Sequence, residues 1–237
     1  MREILHTRLP PEMDRDRPLP GVAPCGADDW LRVDERYAEQ MAYRVALLAE
    51  RPDAVLWDPP EARVPTREVL DEALALLPGL GFVLDRDRVR CPDGRLVLVD
   101  RDAPLLTLGR LLQQDICVLD KCGDAHVLIA AVLCFPANWR LAEKAGRPLV
   151  EIHAPVAAYD TALARRVQRL FDGVQPGRPL WRFNRLPYGD SDLHQPARKD
   201  ADLPRLFVRA ERQCVVRMPK SRAVVFAIHT HVVRRGG

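Results

Sequence analysis

A chain of 237 residues with 36 basic and 33 acidic side chains, a formal net charge of +3 and an apolar fraction of 47% is sized for one large domain or two small ones, and it is too apolar to be disordered. So small a charge excess does not suit a protein of nucleic acids or membrane surfaces. The longest apolar run, Val127 to Pro136, is about half the ~20 residues that a membrane-spanning helix needs.

Prolines and glycines between Pro10 and Gly26 make residues 1–26 an extended arm, with no apolar stretch of the kind a secretory signal carries. The six scattered cysteines therefore read as reduced thiols of a cytoplasmic protein. Asp28 and Asp29 are placed to cap a helix from Trp30, in which Trp30, Val33, Tyr37, Met41, Val45 and Leu48 recur every three or four residues up to Pro52. A second helix runs from Thr66 to Leu77 and stops at Pro78-Gly79. Arg86–Cys91 and Arg95–Asp100 flank Pro92-Asp93-Gly94 as a hairpin.

Leu105–Leu119 has helical spacing. Ala125–Phe135 reads as a buried strand, Asn138–Ala145 as a short helix closed by Gly146, and Arg147–Pro155 as a tight segment between prolines. A helix capped by Asp160 runs from Thr161 to Phe171, with Gly173 closing it. Leu180–Arg185 is a strand and 186–203 a polar loop. Arg205–Arg217 and Arg222–Val233 are the arms of a hairpin around Met218–Ser221. That order predicts an α+β fold with a mostly antiparallel sheet. One domain covers 27–237, with a helical part over 27–80 and a sheet core over 81–237.

Several chemistries lack their motif. No glycine-rich dinucleotide or phosphate loop is present. Cys117 and Cys122 have the first spacing of a plant-type iron–sulfur run, but Ala125 stands at the next ligand position. Cys122 beside Lys121 reads as a turn cysteine. His153, between Ile152 and Ala154, is either a satisfied core histidine or a metal ligand. His229 and His231 share one strand face, which reads better as a solvated edge than as a chelating pair. Alternation places Phe207, Arg209, Glu211, Gln213 and Val215 on one face of their strand, and Leu180, Arg182 and Asn184 on one face of theirs. If the two faces coincide across one sheet, Arg182 and Glu211 form a polarised pair.

These same residues carry a resemblance. Seven segments, in order, resemble the α subunit of haem-dependent oxidative N-demethylase and its relatives. They are Asp29-Trp-Leu-Arg-Val-Asp-Glu-Arg-Tyr37, Leu112-Gln-Gln-Asp-Ile-Cys-Val-Leu119, Phe135-Pro-Ala-Asn-Trp-Arg-Leu-Ala-Glu-Lys144, Gly146-Arg-Pro-Leu-Val-Glu-Ile-His-Ala-Pro-Val156, Arg178-Pro-Leu-Trp-Arg-Phe-Asn184, Asp192-Leu-His-Gln-Pro196, and Glu211-Arg-Gln213 with Pro219-Lys-Ser221. The resemblance implies a PAS-like fold that holds haem b. It implies oxidation of a small secondary amine by O₂, dimethylamine in the characterised member, with release of formaldehyde.

Electrons from NADPH would arrive through a flavin and iron–sulfur reductase subunit, and a folate-binding subunit would take the formaldehyde. His153 would bind the iron, with His194 of the Leu-His-Gln-Pro segment as the alternative. Arg182 and Glu211 would be the catalytic pair, and Trp181, Asn184 and Gln213 would line the cofactor. A haem-based gas or redox sensor and a haem-free interaction domain are the competing readings of such a fold. The chain departs from the family pattern at Gln114, at Arg185, and at Ile228-His-Thr-His231, where relatives carry Ile-Arg-Thr-Tyr. Arg185 and His231 are expected to alter the site's size and polarity. Relatives also continue beyond the position of Gly237, from which weaker partner docking is expected.

Overall fold

The computed structural model describes residues 3–13, 21–153, 161–197 and 203–236. Its centre is a seven-stranded antiparallel sheet ordered β1 (Ala23–Pro24), β8 (Leu180–Tyr188), β9 (Phe207–Arg217), β10 (Val224–Arg234), β6 (Asp115–Cys122), β7 (Ala125–Val132) and β2 (Leu56–Trp57). A second sheet of three short strands follows the order β3 (Val83–Asp85), β4 (Arg88–Arg90) and β5 (Leu96–Leu98). The architecture is α+β, with both sheets antiparallel.

Each face of the large sheet has its own core. One face packs against α1 (Tyr37–Glu50), α3 (Arg63–Leu76) and α4 (Pro104–Leu111), through residues such as Met41, Leu70, Leu108, Ile116, Val118 and Val225. The other packs against α5 (Leu141–Lys144), α6 (Leu149–His153) and α7 (Thr161–Gly173), through Cys117, Leu119, Leu141, Leu149, Phe171 and Val224. A four-residue helix, α2 (Pro52–Val55), leads into β2.

Several expectations are corrected. The first helix begins at Tyr37, not Trp30. Asp29 caps nothing; its carboxylate accepts from Arg32 Nε at 2.7 Å and from Arg212 Nη2 at 2.7 Å, tying the segment to β9. The second helix starts at Arg63, and the Thr66 hydroxyl turns back to donate to the Ala62 carbonyl. The hairpin around Gly94 forms with shorter arms, and β3 adds an unexpected third strand.

The largest correction lies in 105–119. Helix α4 stops at Leu111, and Asp115–Leu119 belongs to β6. A run that is apolar nearly throughout satisfies helical spacing and a doubly buried strand equally well. Here Ile116 and Val118 are buried against one core, and Cys117 and Leu119 against the other. The Asp115 carboxylate decides the pairing: it accepts the backbone N–H of Cys134 at 2.7 Å and of Phe135 at 2.9 Å, beyond the end of β7.

The N-terminal arm is packed into the fold where it is described. Ala23 pairs with Trp181, Met13 is fully buried, and His6 N–H donates to the Val232 carbonyl at 2.7 Å. The 147–155 segment contains the short helix α6, and Asp160, the expected cap of α7, lies outside the described residues.

Candidate functional site

The last two strands place the polar row. In the register of β8 and β9, Arg182 stands opposite Gln213, Asn184 opposite Glu211, and Leu186 opposite Arg209. The two faces read from alternation therefore coincide. Arg182 Nη1 donates to Gln213 Oε1 at 2.7 Å, and Gln213 Nε2 donates to Glu211 Oε2 at 3.1 Å. Asn184 Nδ2 donates to the same Glu211 oxygen at 3.2 Å, and Asn184 Oδ1 accepts the Glu211 backbone N–H. The other carboxylate oxygen, Glu211 Oε1, accepts from Arg209 Nε at 3.3 Å.

Arg209, Glu211 and Gln213 are buried, while Arg182 and Asn184 are half-buried at the open end of the row. Burial pulls the Arg182 guanidinium below its ordinary range, and the Glu211 charge opposes that shift. Charges this deep are retained only when hydrogen-bonded, and this row satisfies them.

The row borders an apolar floor. Across the register from Gln213 and Val215 lie Ile228 and Phe226, and beyond Phe226 lies Cys117. Over this floor stand α5, α6 and α7. Trp139, Ile152, Leu180 and Phe226 pack there and are half-buried. His153 closes α6 on this side of the sheet; its side chain lies outside the described residues. The helix is pinned by its own neighbours. The Leu128 N–H donates to the Arg147 carbonyl at 3.0 Å, and Lys144 Nζ donates to the carbonyl of Ile152.

His194 is held beside the far end of the row. Its Nδ1 lies 2.8 Å from the Cys134 carbonyl oxygen. That oxygen can only accept, so Nδ1 carries the proton and Nε2 is left as a lone pair. Metal-ligating histidines are fixed by this kind of backbone contact. Arg209 Nη1 donates to the carbonyl of the adjacent Leu193 at 2.9 Å.

Two expected site residues are elsewhere. Trp181 points to the opposite face of β8, where it stacks on Phe183 with ring centroids 6.3 Å apart and lies under the Arg212 guanidinium. It belongs to the core around α1, α3 and α4 and does not join Arg182 and Asn184, because alternate residues of a strand face opposite ways. Arg185 falls on that same side of its strand by alternation.

His229 and His231 are not on a solvated edge. Strand β10 lies inside the sheet, and both rings are buried. His229 Nε2 and His6 Nε2 each lie 2.9 Å from Asp34 Oδ2, and His231 Nε2 lies 3.5 Å from it. The second nitrogens of two of these rings face donors: the Val232 N–H meets His6 Nδ1 at 3.3 Å, and the Gln114 amide meets His229 Nδ1 at 2.8 Å. Both rings are thereby fixed with the proton on Nε2, donating to Asp34. A metal would need that nitrogen as a lone pair, so this cluster is a hydrogen-bonded clamp between the N-terminal segment, the loop before α1 and the last strand. Its carboxylate is pulled far below the usual range: the His229 and His6 hydrogen bonds outweigh burial, which by itself would raise it.

Arg209, Asp34 and His6 are the residues the sequence reading passed over. Arg209 had a visible signal, its place on the face of Glu211 and Gln213. Asp34 and His6 had none, because they meet each other across 28 residues and meet His229 and Val232 across 195 and 226.

Residues 21–234 match the family model described as haem-dependent oxidative N-demethylase, alpha subunit-like. The chain belongs to this family.

Proposed function

We propose that the chain is the haem-binding, oxygen-activating subunit of an oxidative N-demethylase-like complex acting on a small secondary amine. The observation that carries this reading is the buried row Arg182–Gln213–Glu211–Asn184 beside an apolar floor, on the sheet face whose core includes α5 and α6. The reading of haem b is supported by what such a group needs: a flat macrocycle needs apolar surface such as that of Phe226 and Trp139, and the iron needs an imidazole. When bound, the haem supplies the O₂ chemistry that oxidises the N-methyl group to formaldehyde.

The chain's own residues do the rest. Glu211 holds the ammonium form of the amine through charge-assisted hydrogen bonding, or takes its proton. Arg182 sets a fixed positive charge at the open end of the row, where negative charge develops on oxygen. Gln213 keeps the two groups in register, and Asn184 orients the carboxylate. Electrons come from a flavin and iron–sulfur partner subunit fed by NADPH, and formaldehyde passes to a folate-binding partner in the cytoplasm.

His153 is the proposed iron ligand. A second reading assigns the iron to His194, favoured by the contact of its Nδ1 to the Cys134 carbonyl, which fixes the ring. Visible spectra of the haem-loaded protein, with and without dimethylamine, test the function. The expected result is a Soret band that shifts as the amine is added. A protein that takes up no haem overturns the proposal, and one whose bound haem ignores every small secondary amine is a sensor instead. His153→Ala should lose the band. A wild-type spectrum in that variant, with loss in His194→Ala, moves the ligand to His194.

A further inference from the structure

Glu211 has been read as the partner of Arg182, yet its nearest cation is Arg209. The Arg209 side chain is buried along with Glu211, and each of its three nitrogens donates a hydrogen bond. Nε donates to Glu211 Oε1 at 3.3 Å, Nη1 to the Leu193 carbonyl at 2.9 Å and Nη2 to the Phe135 carbonyl at 2.6 Å. Its planar face lies over the Tyr188 ring, 5.9 Å from the centroid, and the Tyr188 hydroxyl is held in turn by Asn138 Nδ2 at 2.9 Å.

Both carbonyls belong to loops: one follows β7, and the other carries His194. These loops are joined by the Asn138 N–H to the Gln195 carbonyl at 2.7 Å and by the His194 contact to Cys134.

We infer that Arg209 is the positioning residue of the site: it fixes the Glu211 carboxylate in place, and it makes that placement depend on the His194 loop. A guanidinium anchored at four points has no freedom to follow a ligand, so it acts as a rigid mount. Arg182 is half-buried and is joined to Glu211 through Gln213. The inference rests on the reading of Glu211 as the amine-binding group, and its consequence is that the carboxylate presents one edge only. Oε1 is committed to Arg209, so an incoming ammonium shares Oε2 with Asn184 and Gln213.

Two measurements test this. The first is independent of haem and amine: the side-chain carboxyl carbon of Glu211 is followed by NMR in protein labelled at glutamate, the signal being identified by its loss in Glu211→Gln. In Arg209→Gln that signal should move and broaden at constant pH, because the carboxylate has lost the donor that holds Oε1. Arg209→Lys, which loses the fork, should restore only part of the wild-type signal, and it carries the same comparison if Arg209→Gln does not fold.

The second is a double-mutant cycle on dimethylamine affinity, read from the haem spectrum. Arg209→Gln should weaken binding about tenfold or more in the wild-type background and by less than about threefold in Glu211→Gln. An unmoved Glu211 signal in both Arg209 variants, or equal effects in both backgrounds, overturns the inference. A wild-type protein whose spectrum ignores amines, with the Glu211 signal still moved in Arg209→Gln, sinks the amine reading and leaves Arg209 as the mount of Glu211.

Discussion

Arg182 reaches Glu211 through a side-chain amide: Gln213 accepts from the arginine at 2.7 Å and donates to the carboxylate at 3.1 Å. A cation and an anion on neighbouring strands are thus kept apart by one amide's length. A direct ion pair would have closed the site on itself.

Replacing that amide tests the separation. Gln213→Leu removes both bonds with little change of volume. It should cost about 1–3 kcal/mol of stability, toward the lower end because Arg182 can turn to water. Urea unfolding checks this. A variant as stable as wild type would mean that the amide bridge is not formed in solution.

The clamp on Asp34 predicts acid sensitivity. Burial, the largest cause in each case, holds His229 below the ordinary imidazole value and His231 well below it, and for His231 the neighbouring His229 and His6 add to the effect. The unfolded chain takes up these protons near pH 6.5, the folded chain only at lower pH. Stability is therefore full above about pH 6.5 and falls as the pH drops below it, by up to about 1.4 kcal/mol per pH unit for each histidine. Asp34 stays ionised throughout this window, since its value is depressed too. Urea midpoints at pH 7.5 and 5.5 measure the slope. His231→Phe removes one titrating ring whose Nδ1 has no partner, so the loss between the two pH values should shrink.

Asp115 predicts a large effect from a buried charge. Its Oδ1 accepts from Arg44 Nη1 at 2.6 Å and from the Cys134 N–H at 2.7 Å, with both side chains of the ion pair sealed from solvent. Asp115→Ala leaves a buried guanidinium unpaired and two backbone N–H groups without acceptors. The expected cost is about 3–5 kcal/mol, seen as a collapse of the thermal transition or insoluble expression. Retention of the wild-type melting temperature would show that Arg44 finds another acceptor.

The two motif tryptophans should differ. Trp181 is buried, so Trp181→Ala should cost about 3–5 kcal/mol by leaving a cavity in the core around α1, α3 and α4. Trp139 is half-buried, so Trp139→Ala should cost roughly half as much in the haem-free protein. Comparing Trp139→Ala with and without haem adds a test of the apolar floor: a bound macrocycle resting on Trp139 should widen its stability difference from wild type.

The sequence by itself determined whatever depends on neighbours along the chain. Alternation in 205–217 put Arg209, Glu211 and Gln213 on one face, and alternation in 180–185 did the same for Arg182 and Asn184, because a strand's period of two is a local property. The break at Met218–Ser221 marked the hairpin, though only the register of β8 against β9 could bring Asn184 opposite Glu211. The tertiary structure decided the rest. Asp115–Leu119 is a strand because Asp115 finds the N–H groups of Cys134 and Phe135, which helical spacing cannot reveal. His229 and His231 are buried where His6 and Asp34, from the other end of the chain, pack against them. Trp181 shares a motif with Arg182 and still faces away from it, since adjacency in sequence places strand residues on opposite sides of a sheet. Buried polar groups need partners, and the chain drew those partners from segments up to 226 residues away.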